Sequence, residues 1–493
     1  MISASGLSII ANGEAIPWAE VPERSAAALV EATAGELGCG GRLCAWFGVP
    51  GADGVHLVAV VAFDTDGVLA VGRSAPVLRS YPALTPLATQ AHLFEREVME
   101  QHGIVPEGHP WLKPVRHSVG DPRGDAGFYK VGGGEIHEVA VGPVHAGVIE
   151  PGHFRFQCDG EEVLHLEIAL GYQHRGVEEV LIGGPHRATP YLMETLAGDT
   201  TIGHATAYAM ALEGLAGDEA PLRAQWLRAI ALELERLANH TGDLGALAGD
   251  VAYQPTAAAC GRIRGEFLNM TAAICGNRFG RGLVRPAGCG FDLEPGRAGA
   301  MIESLGTALA DAEEVGGWLW DSGSVRSRFE GTGVVPLETA AEIGLVGPAA
   351  RASGLVRDVR FDHPAGWHRF AQQPVAIWPG GDVFSRARVR WLEVRRSGAF
   401  VEEQAAAPPD DRIESRLGPL RPDTLAVSLV EGWRGEICHV AITGPTGQFR
   451  RYKVVDPSFH NWPALALAMR GQSISDFPLC NKSFNLSYCG LDL

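Results

Sequence analysis

The 493-residue chain lacks the features that would place it in several common classes of protein. No run of about 18 apolar residues is free of charges, glycine or proline, so no transmembrane helix is predicted. The first 20 residues have no basic region and carry acids early, so no signal peptide is expected. The net charge of −17 lacks the positive excess that nucleic-acid binding requires. Any attachment to a membrane is therefore expected to come through partner subunits.

The nine cysteines also lack a recognisable pattern, because no two of them have C-x-x-C spacing. An odd number of scattered cysteines favours reduced thiols over a disulfide framework. Distant cysteines can still converge on a metal, although isolated cysteines more often serve as small buried apolar residues.

The first part of the chain, residues 1–117, is predicted to form a small α+β domain. The apolar runs at 55–64 and 67–74 are separated by a short turn, which is typical of a β-hairpin. Helical spacing of apolar residues follows at 84–103. The glycine-rich stretch 118–136 predicts a linker.

The remainder, residues 137–493, is predicted to form a mainly helical domain with peripheral short strands, beginning with strands within 154–170. The segments with helical periodicity are 188–215, 220–248, 256–280 and 298–318. The chain as a whole is therefore assigned to the α+β class.

Ordered motifs along the chain carry a resemblance to a known family. FEREVMEQHGIVPEGHPWLKPVRH (94–117) resembles the signature of the 30-kDa-type subunit of complex I. The rest resembles the 49-kDa-type subunit of complex I and, more closely, the large subunit of group 4, formate-hydrogenlyase-type nickel-iron hydrogenases. The segments that carry this second resemblance are GPVHAGVIEPGHFR (142–155), GYQHRGVEE (171–179), LELERLANHTGDLGAL (232–247), ASGLVRDVRFDHP (352–364), GGDVFSRARVRWLEVRRS (380–397), GWRGE (432–436) and DPSFHNWPAL (456–465). The resemblance implies both subunit types fused in one chain.

The four cysteine ligands of the nickel-iron family are replaced in this sequence. ETLAGDTTIGHA stands where the family carries E-R-x-C-G-x-C-G-x-x-H-S, which places Ala197 and Thr200 at two thiolate positions. DPSFHN stands where the family carries D-P-C-x-x-C, which places Ser458 and Asn461 at the other two. A methyl group, a neutral hydroxyl and an amide cannot replace thiolates that hold soft metals. We therefore expect that the nickel-iron centre is lost and that this chain binds no cofactor of its own.

The resemblance also implies roles for other residues. Glu150 matches a carboxylate that accepts protons beside the metal, and Arg434 matches an arginine that lies over the metal's diatomic ligands. The expected catalytic residues are Glu150, His153, His204, Arg434 and His460. The expected binding residues are His145, His174, Arg175, Glu178, Arg357, Asp358 and Asp456. For each of them a structural role, as an ion pair, a cap or a buried hydrogen-bonding group, is the alternative.

Three functions remain open from the sequence. The first is an oxidoreductase subunit that passes electrons from an iron-sulfur cluster in a small partner subunit to a quinone or another acceptor. The second is a non-catalytic structural subunit that couples partners to antiporter-like subunits of a membrane arm. The third, true hydrogenase activity, would require metal binding without the usual thiolates. In each case the expected location is the cytoplasmic face of the inner membrane, and NAD and formate both remain open as sources of electrons.

Overall fold

The computed structural model of the chain describes residues 2–3, 5–116, 127–145 and 150–493. Part of the predicted linker (118–126) and part of the GPVHAGVIEPGHFR segment (146–149) lie outside the described residues. The structure is 44% helical and 20% strand, which confirms the predicted α+β class. The domain limits at 117 and 137 stay predictions.

The N-terminal part is built around one five-stranded sheet. Its elements are β1 (Ser8–Ile10), β2 (Ala15–Pro17), β3 (Glu23–Arg24), α1 (Ala26–Gly38), β4 (Arg42–Gly51), β5 (Gly54–Phe63), β6 (Val68–Ser74), β7 (Ser80–Pro82), α2 (His92–His102) and β8 (Val105–Glu107). The sheet order is β1-β6-β5-β4, with β3 paired to β6. Strands β5 and β6 are antiparallel neighbours, so the predicted hairpin is confirmed.

Helix α2 is shorter than the predicted helix of 84–103, because it begins only at His92. The Glu95 carboxylate accepts hydrogen bonds from the backbone N–H groups of Leu84 (2.7 Å) and Thr85 (2.8 Å). These bonds hold the chain before α2 in a turn, which the apolar periodicity alone does not predict.

The second part combines a three-stranded sheet, a helical core and a C-terminal sheet. Its elements are β9 (Ile136–Val141), β10 (His153–Asp159), β11 (Glu162–Ala169), α3 (Val177–Val180), α4 (Thr189–Met193), α5 (Thr201–Ala216), α6 (Leu222–Asp250), α7 (Gln254–Cys275), β12 (Val284–Arg285), β13 (Gly288–Cys289), α8 (Pro295–Asp321), α9 (Gly323–Phe329), α10 (Leu337–Glu342), α11 (Gly347–Ala352), α12 (Val359–Asp362), α13 (Val383–Ala406), β14 (Thr424–Gly432), β15 (Gly435–Thr443), β16 (Phe449–Val455), α14 (Pro457–Ala468), α15 (Phe477–Phe484) and α16 (Tyr488–Leu491).

The long helices α6, α7, α8 and α13 pack against one another and form the helical core. The predicted helices at 220–248, 256–280 and 298–318 correspond to α6, α7 and α8. The predicted helix at 188–215 is interrupted, because α4 ends at Met193 and α5 begins at Thr201. The interruption contains the segment that stands at the family's first cysteine motif.

The two parts are joined by backbone pairing, apolar packing and buried ion pairs. Strand β2 pairs with β14, so the C-terminal sheet has the order β16-β15-β14-β2. One apolar core extends from the N-terminal sheet into the helical part. Arg42 pairs with Glu436 (2.5 Å), and Glu97 pairs with Lys453 (2.5 Å). Within the described ranges, no helix combines the length and apolar character needed to cross a membrane.

Candidate functional site

The two motif segments that the sequence resemblance aligns with the family's cysteine motifs lie side by side in the fold. Asp456 caps the start of α14, where its Oδ1 accepts a hydrogen bond from the Ser458 backbone N–H (2.8 Å). Its other carboxylate oxygen lies 3.1 Å from Nε2 of His204, which is on the first turn of α5. Both side chains are fully buried, so this contact fixes the start of α5 against the start of α14.

The four residues expected at the cysteine positions, Ala197, Thr200, Ser458 and Asn461, are all buried. The hydroxyl of Thr200 accepts a bond from Arg434 Nη1 (3.2 Å). The hydroxyl of Ser458 accepts one from the backbone N–H of residue 487 (2.9 Å). The Asn461 amide both donates to and accepts from the backbone of Val346 (3.1 Å each), while Ala197 has no polar side-chain atom. Their polar groups are therefore hydrogen-bonded within the protein.

Arg434 is held by an ion pair with Asp199, which lies between two of the cysteine positions in sequence. Its Nη2 donates to Asp199 Oδ2 (2.8 Å), its Nη1 to Oδ1 (2.5 Å), and its Nε to the carbonyl of Asn485 (2.5 Å). The guanidinium also lies over the ring of Trp433 at 4.0 Å, and the indole N–H donates to the Asp199 carbonyl (3.0 Å). Burial alone would lower the pKa of Arg434, but the Asp199 carboxylate outweighs it and raises that pKa.

A chain of hydrogen bonds runs from Asp456 into the interior. His204 Nδ1 lies 3.1 Å from His439 Nε2, and His439 Nδ1 lies 2.8 Å from the Tyr452 hydroxyl. Burial raises the pKa of Asp456, but the hydrogen bond from His204 lowers it below its usual value, so the carboxylate is ionised and only accepts. His204 then donates to Asp456 through Nε2, and His439 links the other nitrogen of His204 to the Tyr452 hydroxyl.

The sequence analysis missed two members of this chain, His439 and Tyr452. His439 stands within the apolar strand GEICHVAIT, where a histidine interrupts the run. Burial, together with the neighbouring His204, lowers the pKa of His439 well below its usual value, so its imidazole is neutral. A buried polar residue in an apolar strand was the signal that could have found it.

Glu150 and the two nearby histidines, His145 and His153, contact different parts of the protein. Glu150 Oε2 accepts from the backbone N–H groups of Tyr488 (2.8 Å) and Cys489 (3.3 Å), and the Cys489 thiol donates to Oε1 (3.4 Å). His153 Nδ1 lies 3.2 Å from the carbonyl of residue 142, and burial lowers its pKa. His145 Nε2 lies 3.0 Å from the carbonyl of residue 152. Glu150 thus contacts α16, whereas the two histidines hydrogen-bond to backbone carbonyls near them in sequence.

The segment GYQHRGVEE connects to the first motif and to the C-terminal sheet. The Arg175 guanidinium donates to the carbonyls of residues 195 and 196 (3.1 and 3.2 Å). His174 Nδ1 lies 3.1 Å from the carbonyl of residue 492, and both side chains are exposed. Glu178 is buried and pairs with Arg451 (2.8 Å) and Lys453 (2.9 Å). Burial raises the pKa of Glu178, but these two cations lower it to about 2.

The remaining sequence-predicted residues have partners other than Arg434. Arg357 pairs with Asp64 of the N-terminal part (3.4 Å). Asp358 belongs to a buried ion network with Arg360 (2.6 Å). The network also contains Glu233, Arg236, His240, Arg351, Glu393 and Glu431. His460 makes an edge contact with the Phe94 ring, and burial lowers its pKa to about 4.

The described part of the chain contains two large cavities, of about 700 and about 820 Å³. None of the five expected catalytic residues lines either of them. The larger cavity contains Trp111, Tyr129, His165 and Trp462 in a largely apolar lining. Among the residues that the structure describes, no group of three or more His, Cys, Asp or Glu side chains is placed to hold a metal ion.

Comparison with known proteins places these features in one family. Residues 250–417 match the family "Respiratory-chain NADH dehydrogenase, 49 Kd subunit", and residues 51–119 match "Respiratory-chain NADH dehydrogenase, 30 Kd subunit". "Formate hydrogenlyase subunit 5" of Escherichia coli (strain K12) is 30% identical over 441 residues, which cover 84% of this chain and 77% of that protein. "Carbon monoxide-induced hydrogenase" of Rhodospirillum rubrum is 32% identical over 352 residues, which cover 71% of this chain and 97% of that protein.

A complex I protein and a solved structure are also similar. One of the NADH-quinone oxidoreductase subunits of Herpetosiphon aurantiacus is 30% identical over 357 residues, which cover 69% of this chain and 94% of that protein. A chain in the "Structure of the membrane-bound sulfane sulfur reductase (MBS), an archaeal respiratory membrane complex" matches with a TM-score of 0.68 and 21% identity. That match covers 73% of this chain and 99% of the other, and it concerns the fold alone. The fused 30-kDa-type and 49-kDa-type regions and these relatives show that the chain belongs to the family of hydrogenase and complex I 49-kDa-type subunits.

Proposed function

We propose that this chain is a large subunit of a membrane-associated, hydrogenase-like or complex-I-like assembly, that it has lost the nickel-iron centre, and that it serves as a structural coupling subunit. The observation that carries this proposal is the closed state of the site around Arg434. Its guanidinium is engaged by Asp199, Trp433 packs against it, and its side chain is only 5% exposed, so the guanidinium already has its partners within the protein. A catalytic role would instead require an open space beside Arg434 for an acceptor.

The residues at the four cysteine positions do not fit a nickel-iron centre. Thr200, Ser458 and Asn461 offer a neutral hydroxyl or an amide, and each polar group already has a partner inside the protein. Ala197 offers no ligand atom at all. Soft metals are held by thiolates, and these side chains cannot supply a thiolate.

The assembly that we propose contains a small iron-sulfur subunit and antiporter-like subunits of a membrane arm, on the cytoplasmic face of the inner membrane. The relatives support this proposal because one is named a formate hydrogenlyase subunit and another a subunit of NADH-quinone oxidoreductase. Exposed His174 and Arg175 are suited to contact such a partner.

The first test is metal analysis of the intact complex, with nickel and iron measured per large subunit. We expect iron from the partner's clusters and no nickel. One nickel per large subunit would overturn the proposal and restore hydrogenase activity as the leading function.

The second test separates a structural role from a catalytic one. Arg434→Lys keeps the charge but loses the paired contact with Asp199. We expect it to lower the amount of assembled complex without changing the rate of electron transfer per assembled complex. Arg262→Lys is the matched control, because Arg262 forms an exposed ion pair with Asp311. A loss of turnover in fully assembled Arg434→Lys complex would contradict the structural role.

Electron transfer to a quinone or another ring-shaped acceptor is the second candidate function, and the 820 Å³ cavity favours it. The aromatic side chains of Trp111, Tyr129 and Trp462 line this cavity, and flat acceptors pack well against such rings. Titration of the metal-analysed complex with a quinone tests this function. Quinone reduction that Trp462→Leu weakens, with assembly unchanged, would support it over the structural role.

A further inference from the structure

The cavity of about 700 Å³ is separate from the Arg434 site, and neither the family comparison nor the proposed function assigns it a role. It forms where residues 11–14 of the N-terminal part meet α5, α6, β14 and the segment 363–369. Its volume is within the range that small-molecule sites occupy, which is roughly 300–1,000 Å³.

The buried charged side chains that line this cavity are already paired inside the protein. The pairs are Arg228 with Glu213 (2.7 Å), Arg360 with Asp358 (2.6 Å) and Glu431 with Arg351 (2.8 Å). A charged ligand would have to compete for one of these ions and leave its partner buried without a counter-charge. Because breaking a buried pair is strongly destabilising, a charged ligand is disfavoured in the buried part of this cavity.

The polar groups that lack a partner belong to two histidines and a threonine. Both ring nitrogens of His368, Nδ1 of His363 and Oγ1 of Thr206 have no hydrogen-bond partner among the described residues. All three residues line the cavity, and their exposed fractions are only 8%, 1% and 9%. Unpaired polar atoms at such burial are costly, so they mark where a ligand or ordered water completes the structure.

These groups differ in what they can donate and accept. His363 Nε2 lies 3.0 Å from a carboxylate oxygen of Asp64 and donates to it, which leaves Nδ1 as the ring nitrogen without a partner. Burial lowers the pKa of His368 to about 4, so its neutral ring offers one donor and one acceptor. The Thr206 hydroxyl can act as either. A stacking contact between His368 and Phe400 (5.6 Å, 28°) holds the imidazole in place.

We infer that this cavity binds a small uncharged molecule that carries several hydroxyl groups, such as a polyol or a sugar. Hydroxyl groups both donate and accept hydrogen bonds. They can therefore pair with the donor and acceptor nitrogens of neutral His368, with Nδ1 of His363 and with the Thr206 hydroxyl. Met210, Leu232 and Trp367 also line the cavity, and the C–H faces of a cyclic polyol would pack against them. The site goes beyond the proposed function, because it touches neither Arg434 nor the cysteine positions.

The test is calorimetric titration of the purified complex with three uncharged probes, myo-inositol, glucose and trehalose, and two charged probes, succinate and inorganic phosphate. We expect at least one uncharged probe to bind and both charged probes not to bind. Thr206→Val is nearly isosteric and removes one hydrogen bond, so it should weaken binding by about 3- to 10-fold. His368→Phe keeps the stacking on Phe400 and should weaken binding further.

Thr256→Val is the matched control. Thr256 is 1% exposed and its hydroxyl is also without a partner among the described residues, but it lines a separate space of only about 10 Å³. We expect it to leave binding unchanged. The inference is overturned if no uncharged probe binds, if a charged probe binds at a site sensitive to Thr206→Val, or if Thr206→Val and Thr256→Val have equal effects.

Discussion

The ion pair between Asp199 and Arg434 provides the sharpest test of how the site is held closed. Asp199→Asn keeps the size of the side chain but removes the charge opposite a guanidinium whose side chain is only 5% exposed. Hydrogen bonds to charged groups contribute about 1.5–3 kcal/mol each, and Arg434 donates two of them to this carboxylate. Because Asn can still accept one bond, we expect a net loss of about 2–3 kcal/mol.

The chain offers a closely matched control in Asp311→Asn. The Asp199 and Asp311 side chains are both 34% exposed, but the guanidinium of Arg262, which pairs with Asp311, is 56% exposed. Exposed ion pairs contribute about 0.2–1 kcal/mol, so the control should lose less than about 1 kcal/mol. The chemical change is the same at both positions, and the arginines differ in burial and in the number of bonds they donate, two from Arg434 and one from Arg262.

Native-state hydrogen exchange of the assembled complex is the suitable assay, because a 493-residue chain with several sheets is not expected to unfold in one step. For Asp199→Asn we expect the amides at 433–436 to exchange about 30- to 150-fold faster, as a loss of about 2–3 kcal/mol implies. Asp311→Asn should leave these amides unchanged. If Asp199→Asn has no more effect on them than Asp311→Asn, Arg434 is not held by Asp199 and the closed site requires another explanation.

Three further predictions follow from other buried groups. Because the pKa of Glu178 is lowered to about 2, its ionised form stabilises the fold above about pH 4.5, and this contribution, on the order of 3 kcal/mol, is lost as pH falls towards 2. The difference in melting temperature between Glu178→Gln and the unaltered protein should therefore shrink below about pH 4.5, and a constant difference would contradict this reasoning. Tyr452→Phe removes the hydrogen bond with His439 and should lower the free energy of local opening around β15 and β16 by about 1–3 kcal/mol, measured by native-state hydrogen exchange at neutral pH; no loss would show that this bond is dispensable. Gly347→Ala should destabilise the fold far more than Gly103→Ala in the same assay, although both glycines have φ near +65°. A Cβ at position 347 would lie 2.3 Å from backbone atoms, whereas nothing lies within 4 Å of a Cβ at position 103. Equal effects of the two substitutions would contradict this reasoning.

Local sequence patterns predicted the elements that depend on local interactions. The hairpin of β5 and β6 and the long helices α6, α7 and α8 follow from apolar periodicity, which acts over one turn or one strand. The same periodicity overextended α2 and bridged the break between α4 and α5. In both places a glutamate bonds to backbone N–H groups: Glu95 to those of Leu84 and Thr85, and Glu194 to that of Gly282 (2.6 Å). Apolar periodicity does not reveal such bonds, because they depend on the position of the side chain in the folded protein.

The site depends on contacts that are distant in sequence, and these were not predictable from pattern. Asp456 and His204 are separated by 252 positions, and the resemblance to a known family, rather than any local rule, placed their motifs together. Asp199 was not among the predicted site residues, although its carboxylate pairs with Arg434 from 235 positions away in the sequence. The pairing of β2 with β14 likewise joins the two ends of the chain and has no local signal. Non-local pairs of this kind hold the candidate site together. Local patterns therefore predict the helices and strands of the fold better than the contacts within the site.

The backbone of residues 485–488 shows how the two motif segments can stay together without a shared metal. It donates hydrogen bonds to Ser458 and Glu150 and accepts one from Arg434. In a metal-binding protein the metal itself cross-links its ligands and contributes to folding. If the metal is lost as we propose, the cross-links are the contact of His204 with Asp456 and these backbone bonds, which substitutions of the side chains at 485–488 would not remove directly. A site closed in this way needs neither thiolates nor a metal to keep α5, α14 and the C-terminal residues in register, and this is the property that a rigid coupling subunit requires.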